Sequence, residues 1–353
     1  MKVLMLVNWP LHFLERDDHD IQSPDKVVKD KPYWFFRYLP VNWQVDVIGI
    51  NARPAWFYRF EKDILRFYIR QPLSILSKSE QCDLILSHGS QSSLVFSMLR
   101  KLKKRKKARH VVIDVGCMNG GKESGLSLQL VKSAAKELDG IIYHASIQKR
   151  FYQKYLPWLI DKAFFIPFGV QTDFYYPNPK KTEENFILSF GSIKRDYHTL
   201  IESAKMLPGI NFKIIGPQKL EDELPLNVEL ISRVPAITLR DYLWKAKLIV
   251  LPLPVFNYAY GQMSLLQSMV CEKCVIATKT PSTIDYIEDL KTGIFVKPSD
   301  AGDLKEKIEM VWKNEMMRKK IAQAGLEAVK TKFNEERMAH GIYEVIRKVI
   351  GEP

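Results

Sequence analysis

The sequence predicts an α/β fold, two doubly wound Rossmann-like domains facing across a cleft, and three observations carry that expectation. Short β-branched or apolar runs recur along the chain, the intervals between several of them are helical in pattern, and the whole series restarts after a proline-containing polar stretch near residue 172. The 353 residues, 46% hydrophobic and 26% charged, suffice for two buried cores and exclude a disordered or fibrous chain.

The first series begins with "KVLMLV" (2–7), read as a buried strand because it is too short for a secretory apolar region and lacks a small-residue cleavage site. It continues through "QVDVIGI" (44–50), "CDLILSH" (82–88), "HVVIDV" (110–115) and "DGIIYHA" (139–145). "IPFGVQTDFYYPNPKKTEEN" (166–185) has the proline, glycine and polar content of a linker. The second series runs "NFILSFG" (185–191), "NFKIIG" (211–216), "NVELISR" (227–233), "KLIVLPL" (247–253), "CVIATK" (274–279) and "GIFVKP" (293–298). Helices then dominate, ending with the amphipathic "EERMAHGIYEVIRKVI" (335–350). The expected division is a first domain over 1–171, a second over 172–334, and a terminal helix over 335–353 that could pack back on the first.

No apolar run approaches the roughly 18 residues of a membrane-spanning helix, so the expected location is the cytoplasm. Cys82, Cys117, Cys271 and Cys274 are too few and scattered for a disulfide framework. Cys271 and Cys274 form a C-x-x-C, but a structural zinc site wants a second ligand pair; small buried residues are the simpler reading. A formal charge of +13 asks for an acidic partner: nucleic acid, an anionic membrane or a phosphorylated ligand.

Ligands of open α/β sheets sit beyond the carboxyl ends of the strands, so residues just after strands are the candidates. "SFGSIKRDYHTL" leaves a strand at Gly191, passes Ser192, Lys194 and Arg195, and enters a helix near Asp196. A guanidinium there suits bidentate pairing with phosphate, although a surface arginine beside a helix start would look the same. "YGQMSLLQSM" (260–269) places Gly261, Gln262, Met263 and Ser264 at a helix start, where free amides and the dipole favour an anion. Gln267, one turn later, could bond a ligand hydroxyl or be a satisfied core amide. In the first domain His88 ends a strand, followed by Gly89 and small polar residues. "VIDVGCMNGGKESG" (112–125), with Gly116, Asn119, Gly120 and Gly121, reads as a flexible cleft loop or an ordinary turn.

Taken together, the strand with "G-x-x-x-L-L-x-x-M-x-x-x-x-x-V-I-A-T", the loop "TPSTIDYIEDLKTGIFVKPSD" (280–300), "IPFGVQTDFYYP" (166–177) and "RDYHTLIESAKML" resemble the donor-binding half of retaining glycosyltransferases of the GT-B fold, family GT4 (glycosyltransferase group 1). The resemblance runs fairly continuously over 160–335 and only loosely over the first domain. It implies that Arg195 binds the donor diphosphate, that the amides of 261–264 hold phosphates and sugar, and that position 267 contacts the ribose. It also implies that His88 lies near the transferred sugar. The chain departs from the family where a pair of glutamates falls on Ala259 and Gln267, and where the usual basic residue after the "FG" strand is Ser192, with Lys194 as a substitute.

"RKLKKRKKAR" (100–109) is dense in cations, and "WFYRFEKDILRFYIRQPL" (56–73) separates Phe57, Phe60, Ile64 and Phe67 from Arg59, Lys62, Arg66 and Arg70 at helical spacing. Arg100, Lys101, Lys103, Lys104, Arg105, Lys106 and Lys107 with that second stripe suit an anionic lipid surface. The alternative is a core-facing stripe with a solvated basic face. No recognition motif or stacking array supports nucleic-acid binding. The "DHD" at 18–20 superficially looks like an acidic metal site but lacks a preceding strand in the right context, so no metal and no cofactor are expected.

These readings converge on a hexosyltransferase-type enzyme, moving a sugar with retention from a nucleoside-diphosphate sugar to a lipid-linked or saccharide acceptor at the inner face of a membrane. A nucleotide-sugar epimerase and a catalytically inactive nucleotide-sugar-binding partner subunit are the alternatives left open.

Overall fold

The computed structural model describes residues 1–102, 108–116, 118–120 and 123–351, which form two compact units. The first holds residues 1–166, the short piece Asn257–Ala259 and the chain from Met338 onward; the second holds Pro167–Phe256 and Tyr260–Arg337. The chain passes between units at Ile166 and Pro167, a few residues ahead of the expected 171/172. The reason is local: Val170 already pairs with Asn334, its amide bonded to the Phe333 carbonyl at 2.9 Å and its own carbonyl accepting from Glu335 N at 3.0 Å.

The elements of the first unit are β1 (Lys2–Val7), β2 (His12–Leu14), β3 (Lys26–Val28), β4 (Gln44–Ile48), α1 (Ala55–Arg59), α2 (Arg70–Ser74), β5 (Leu84–His88), α3 (Ser90–Leu102), β6 (Arg109–Asp114), α4 (Gly125–Ala135), β7 (Gly140–Tyr143), α5 (Gln148–Tyr155) and β8 (Ala163–Phe165). Its main sheet is parallel, in the order β4-β1-β5-β6-β7-β8. The chain steps outward from β1 to β4 and then crosses back to β5, so the order reverses between β1 and β5. Val7 pairs with His88 at the carboxyl edge of that switch point. The small parallel pair β2 and β3 carries no legible apolar run, and β8, apolar throughout, is only three residues long.

The second unit repeats the plan with β9 (Glu184–Phe190), α6 (Tyr197–Lys205), β10 (Asn211–Gly216), β11 (Val228–Ser232), α7 (Ala236–Lys245), β12 (Ala246–Leu251), α8 (Gln262–Val270), β13 (Val275–Thr278), β14 (Ile294–Val296), α9 (Ala301–Trp312) and α10 (Glu315–Lys332). α11 (Glu335–Ile350) begins here and joins the first unit from Met338, where Tyr343 meets the Trp43 ring at 5.5 Å. The second sheet is parallel in the order β11-β10-β9-β12-β13-β14, with its switch point between β9 and β12. Both faces of these strands are covered, which is why they read as apolar runs instead of alternating ones. In β9 Phe186, Leu188 and Phe190 enter one core and Ile187 the other; in β12 Ile249 and Leu251 divide from Leu248 and Val250 in the same way.

The expected amphipathic stretch over 56–73 is not one helix. α1 ends at Arg59, a π-helical turn spans Phe60–Leu65, and Arg66 breaks the run in the left-handed conformation at φ +59°. Glu61 causes the break. It is 1% exposed, and its carboxylate accepts from the Ile69 and Arg70 amides at 2.8 and 3.0 Å and from the Arg70 guanidinium.

Candidate active site in the second unit

Strand β9 delivers the chain to Gly191 at φ +118°, and the turn that follows folds Arg195 back beneath it. A Cβ at position 191 would lie 2.6 Å from Arg195 Nη2, so only glycine leaves that space. Arg195 Nε donates to the Phe190 carbonyl at 3.0 Å, and Nη1 to the Ile193 and Lys194 carbonyls at 3.1 and 3.2 Å. Nη2 reaches Ser264 Oγ in the first turn of α8 at 2.8 Å. Four hydrogen bonds leave one N–H of Nη2 for a further acceptor. All four partners are neutral, and among the described residues no carboxylate forms an ion pair with this guanidinium. Burial accordingly lowers its proton affinity below the ordinary arginine value.

Opposite this cation stands the start of α8. Gly261 is the residue before the helix, in the left-handed conformation at φ +78°, and no side chain caps the first turn. Its carbonyl accepts from Leu265 N at 3.0 Å, while the amides of residues 262–264 have no intrahelical acceptor by helix geometry. Gln262 is buried and its Nε2 lacks a hydrogen-bond partner within the protein. Leu265, Leu266 and Met269 anchor the helix in the core, Met263 is half-buried, and Gln267 is buried one turn along.

The neighbouring groups shape the turn more than they charge it. Ser192 Oγ donates to the Gly216 carbonyl at 2.8 Å, tying the end of β9 to the end of β10. Lys194 is exposed at φ +55° with its Nζ 5.3 Å from the Phe256 ring centroid. Asp196 caps α6 through Thr199, and Tyr197 donates to the Gly191 carbonyl at 2.6 Å. Arg195 and Ser264 thus meet as the sequence could not show, 69 positions apart.

In the first unit His88 ends β5 at the switch point, buried between the Trp9 and Trp34 rings at 5.0 and 5.3 Å. Desolvation, with His144 nearby, lowers its pKa to about 3, so the ring is neutral at ordinary pH. Sequence reasoning missed Asp114 at the end of β6. This buried carboxylate accepts from Ser90 Oγ at 3.1 Å, the Gly116 and Met118 amides at 3.0 and 3.4 Å, and Tyr152 Oη at 2.8 Å. It therefore joins the turn after His88 to the loop after β6, whose Cys117, Gly121 and Lys122 lie outside the described residues.

Two members of the expected basic surface are engaged internally. Arg70 clasps the buried Glu61 at 3.0 Å, stacks over Phe57 at 4.6 Å and donates to the Asn51 and Arg53 carbonyls. Arg100 is 6% exposed, donates to the Ala108 carbonyl at 2.6 Å and lies over Phe96. Arg100 is therefore not a surface cation, whereas Arg70 is half-buried with its guanidinium engaged by Glu61 and two carbonyls. Arg59, Lys62, Arg66 and Lys101 are exposed; Lys103, Lys104, Arg105, Lys106 and Lys107 lie outside the described residues. Phe60 and Ile64, expected on one apolar stripe with Phe57 and Phe67, are exposed while the latter two are half-buried. No helix among the described residues is long and apolar enough to cross a membrane.

Comparison with known proteins agrees with this geometry. Residues 171–328 match the family model described as glycosyl transferases group 1. An uncharacterized glycosyltransferase of Methanocaldococcus jannaschii is 25% identical over 269 residues, 68% of this chain and 74% of the relative. Sucrose-phosphate synthase of Thermosynechococcus elongatus superposes with a TM-score of 0.74 over the full length of both chains at 14% identity. HepE of Anabaena, solved in complex with UDP, gives 0.69 over 99% of this chain and 100% of its own, also at 14% identity. Residues 171–328 form a group 1 glycosyltransferase domain, and the chain is a glycosyltransferase of hexosyltransferase type built on the two-domain GT-B fold.

Proposed function

We propose that this enzyme transfers a hexosyl group, with retention of configuration, from a nucleoside-diphosphate sugar to a saccharide or lipid-linked acceptor. One observation carries the reading: the half-buried Arg195 guanidinium, bonded only to neutral groups, meets Ser264 at the uncapped start of α8. As the bond between sugar and diphosphate lengthens, negative charge collects on the phosphate oxygens. The remaining Nη2 proton of Arg195, the amides of 262–264 and the Gln262 amide would stabilise that charge where it develops. Lys194 adds an exposed cation, and Gln267 supplies an amide for a ribose hydroxyl. His88, neutral, would contact the sugar by hydrogen bonding without taking a proton. Because these groups supply the positive charge, the reaction is proposed to proceed without a metal ion or other cofactor.

The proposed setting is the cytoplasmic face of an anionic membrane. Trp56 and Ile64, 69% and 71% exposed, stand in the same short segment as the exposed Arg59, Lys62 and Arg66, which is the pairing an interfacial anchor requires.

The deciding experiment incubates the protein with UDP-, GDP- and ADP-hexoses and saccharide or lipid-linked acceptors, with and without EDTA, and measures release of the nucleoside diphosphate. Acceptor-dependent release that persists in EDTA and falls at least about 100-fold in Arg195→Ala is expected. Acceptor-independent release would redirect the reading to hydrolysis or epimerisation, and binding without turnover across the panel to a partner subunit.

A further inference from the structure

The first turns of α6 carry metal-ligating groups that the transfer chemistry does not use. His198 and Glu202 lie four positions apart on this helix, so their side chains share one face. Asp222, from the connection between β10 and β11, comes to the same face, where its Oδ1 stands 2.6 Å from His198 Nδ1. One ligand atom from each of the three residues lies within 4.8 Å of the other two.

These separations bracket what a metal needs. Ligand atoms at zinc–nitrogen and zinc–oxygen distances in a tetrahedral site stand roughly 3.3–3.6 Å from one another. The contact between His198 and Asp222 is shorter because a proton joins the two atoms, and a small rotation of the exposed imidazole opens it to an ion. The two carboxylates are half-buried, so the ion enters from solvent and keeps a water as its fourth ligand.

Charge and ligand type agree. Two carboxylates balance a divalent ion, and Asp196 adds its negative field to those of Asp222 and Glu202 at the imidazole. Lys205 works against the ion: its Nζ holds Glu202 Oε1 at 2.7 Å, leaving Oε2 as the oxygen to coordinate. An imidazole beside carboxylates suits zinc, whereas magnesium and calcium prefer oxygen alone.

We propose that His198, Glu202 and Asp222 form a zinc site that steadies the second unit, the ion displacing the proton between His198 and Asp222 and stapling the β10–β11 connection to α6. Ser192 already ties the ends of β9 and β10 through the Gly216 carbonyl, and the ion adds a second tie three positions after Arg195. It takes no part in sugar transfer, which is expected to persist in EDTA.

Zinc chloride titrated into the metal-free full-length protein at neutral pH tests the site, followed by calorimetry, by the side-chain 15N signals of His198 and by the thermal midpoint. Zinc should bind saturably, move the His198 signals and raise the midpoint, while magnesium and calcium do none of these. His198→Ala and Asp222→Ala should each weaken binding at least about ten-fold and abolish the rise in midpoint, with the metal-free midpoint kept near that of the wild type. Lys205→Ala should tighten binding, because it removes the competing cation from Glu202. Zinc binding that leaves the His198 signals in place, an affinity in His198→Ala equal to the wild type, or an equal response to magnesium overturns the site.

Discussion

Gly191 and Arg195 show how a site residue is made from its neighbours. Both stood out in the sequence, because a glycine closing a strand and a cation four positions on lie where α/β sheets bind anions. What position alone could not supply is their dependence on each other: the glycine is required by the guanidinium folded beneath it. If the proposed donor site is right, Gly191→Ala should therefore act as a displacement of Arg195, weakening binding of the nucleoside diphosphate that the wild type takes from a UDP, GDP and ADP panel by ten-fold or more in calorimetry while the folded circular-dichroism spectrum is kept. A variant that binds that nucleotide normally would show that the guanidinium is not held where binding needs it. Arg195→Lys should lose nearly as much, since an ammonium cannot make the forked contacts to Phe190 and Ser264 together. Asp114 was illegible for a different reason: its meaning lies in which distant groups meet it.

The segment from α1 to α2 shows where periodicity misleads. Apolar and basic residues recur at helical spacing, but one buried carboxylate, Glu61, draws in two amides and Arg70 and folds the chain back on itself. The stripe that the pattern places on one face is thereby split, leaving Trp56, Phe60 and Ile64 outside. Neutralising Arg59, Lys62 and Arg66 to Gln should lower binding to phosphatidylserine vesicles about 100-fold, at roughly 1 kcal/mol per basic residue near such a surface. Vesicle co-sedimentation unaffected by that triple change would remove this segment as the anchor. Glu61→Ala should instead destabilise the fold by roughly 3–5 kcal/mol, because it strands the Arg70 charge inside the segment. A urea midpoint within error of the wild type would contradict that account.

At the scale of the molecule, the two parallel sheets were legible because covering both faces of a strand forces an unbroken apolar run, a signal that survives without any homologue. The short strands β2 and β3, and the exchange of Asn257–Ala259 into the first unit, depend on tertiary contacts and leave no such signal. The same division into units decides how the protein meets acid. His88, His110 and His144 are buried in the first unit, and desolvation lowers their pKa values from 6.5 to about 3, about 3 and about 4. A histidine with a depressed folded pKa costs nothing above the unfolded value; as pH falls through 6.5 the unfolded chain takes up protons that the fold refuses. Each should remove on the order of 1.4 kcal/mol by about pH 5.5. Asp114, whose pKa burial raises, works in the opposite direction at lower pH. His198 in the second unit is exposed, and its bond to Asp222 raises its pKa, so its small contribution is present in acid and lost as pH rises. Regional hydrogen exchange between about pH 7.5 and 5.5, corrected for intrinsic rates, should therefore show β1, β5 and β6 losing protection before β9 and β12. Equal loss in both sheets, or none in the first, would mean that the three imidazoles find compensation for their charge that their burial does not provide.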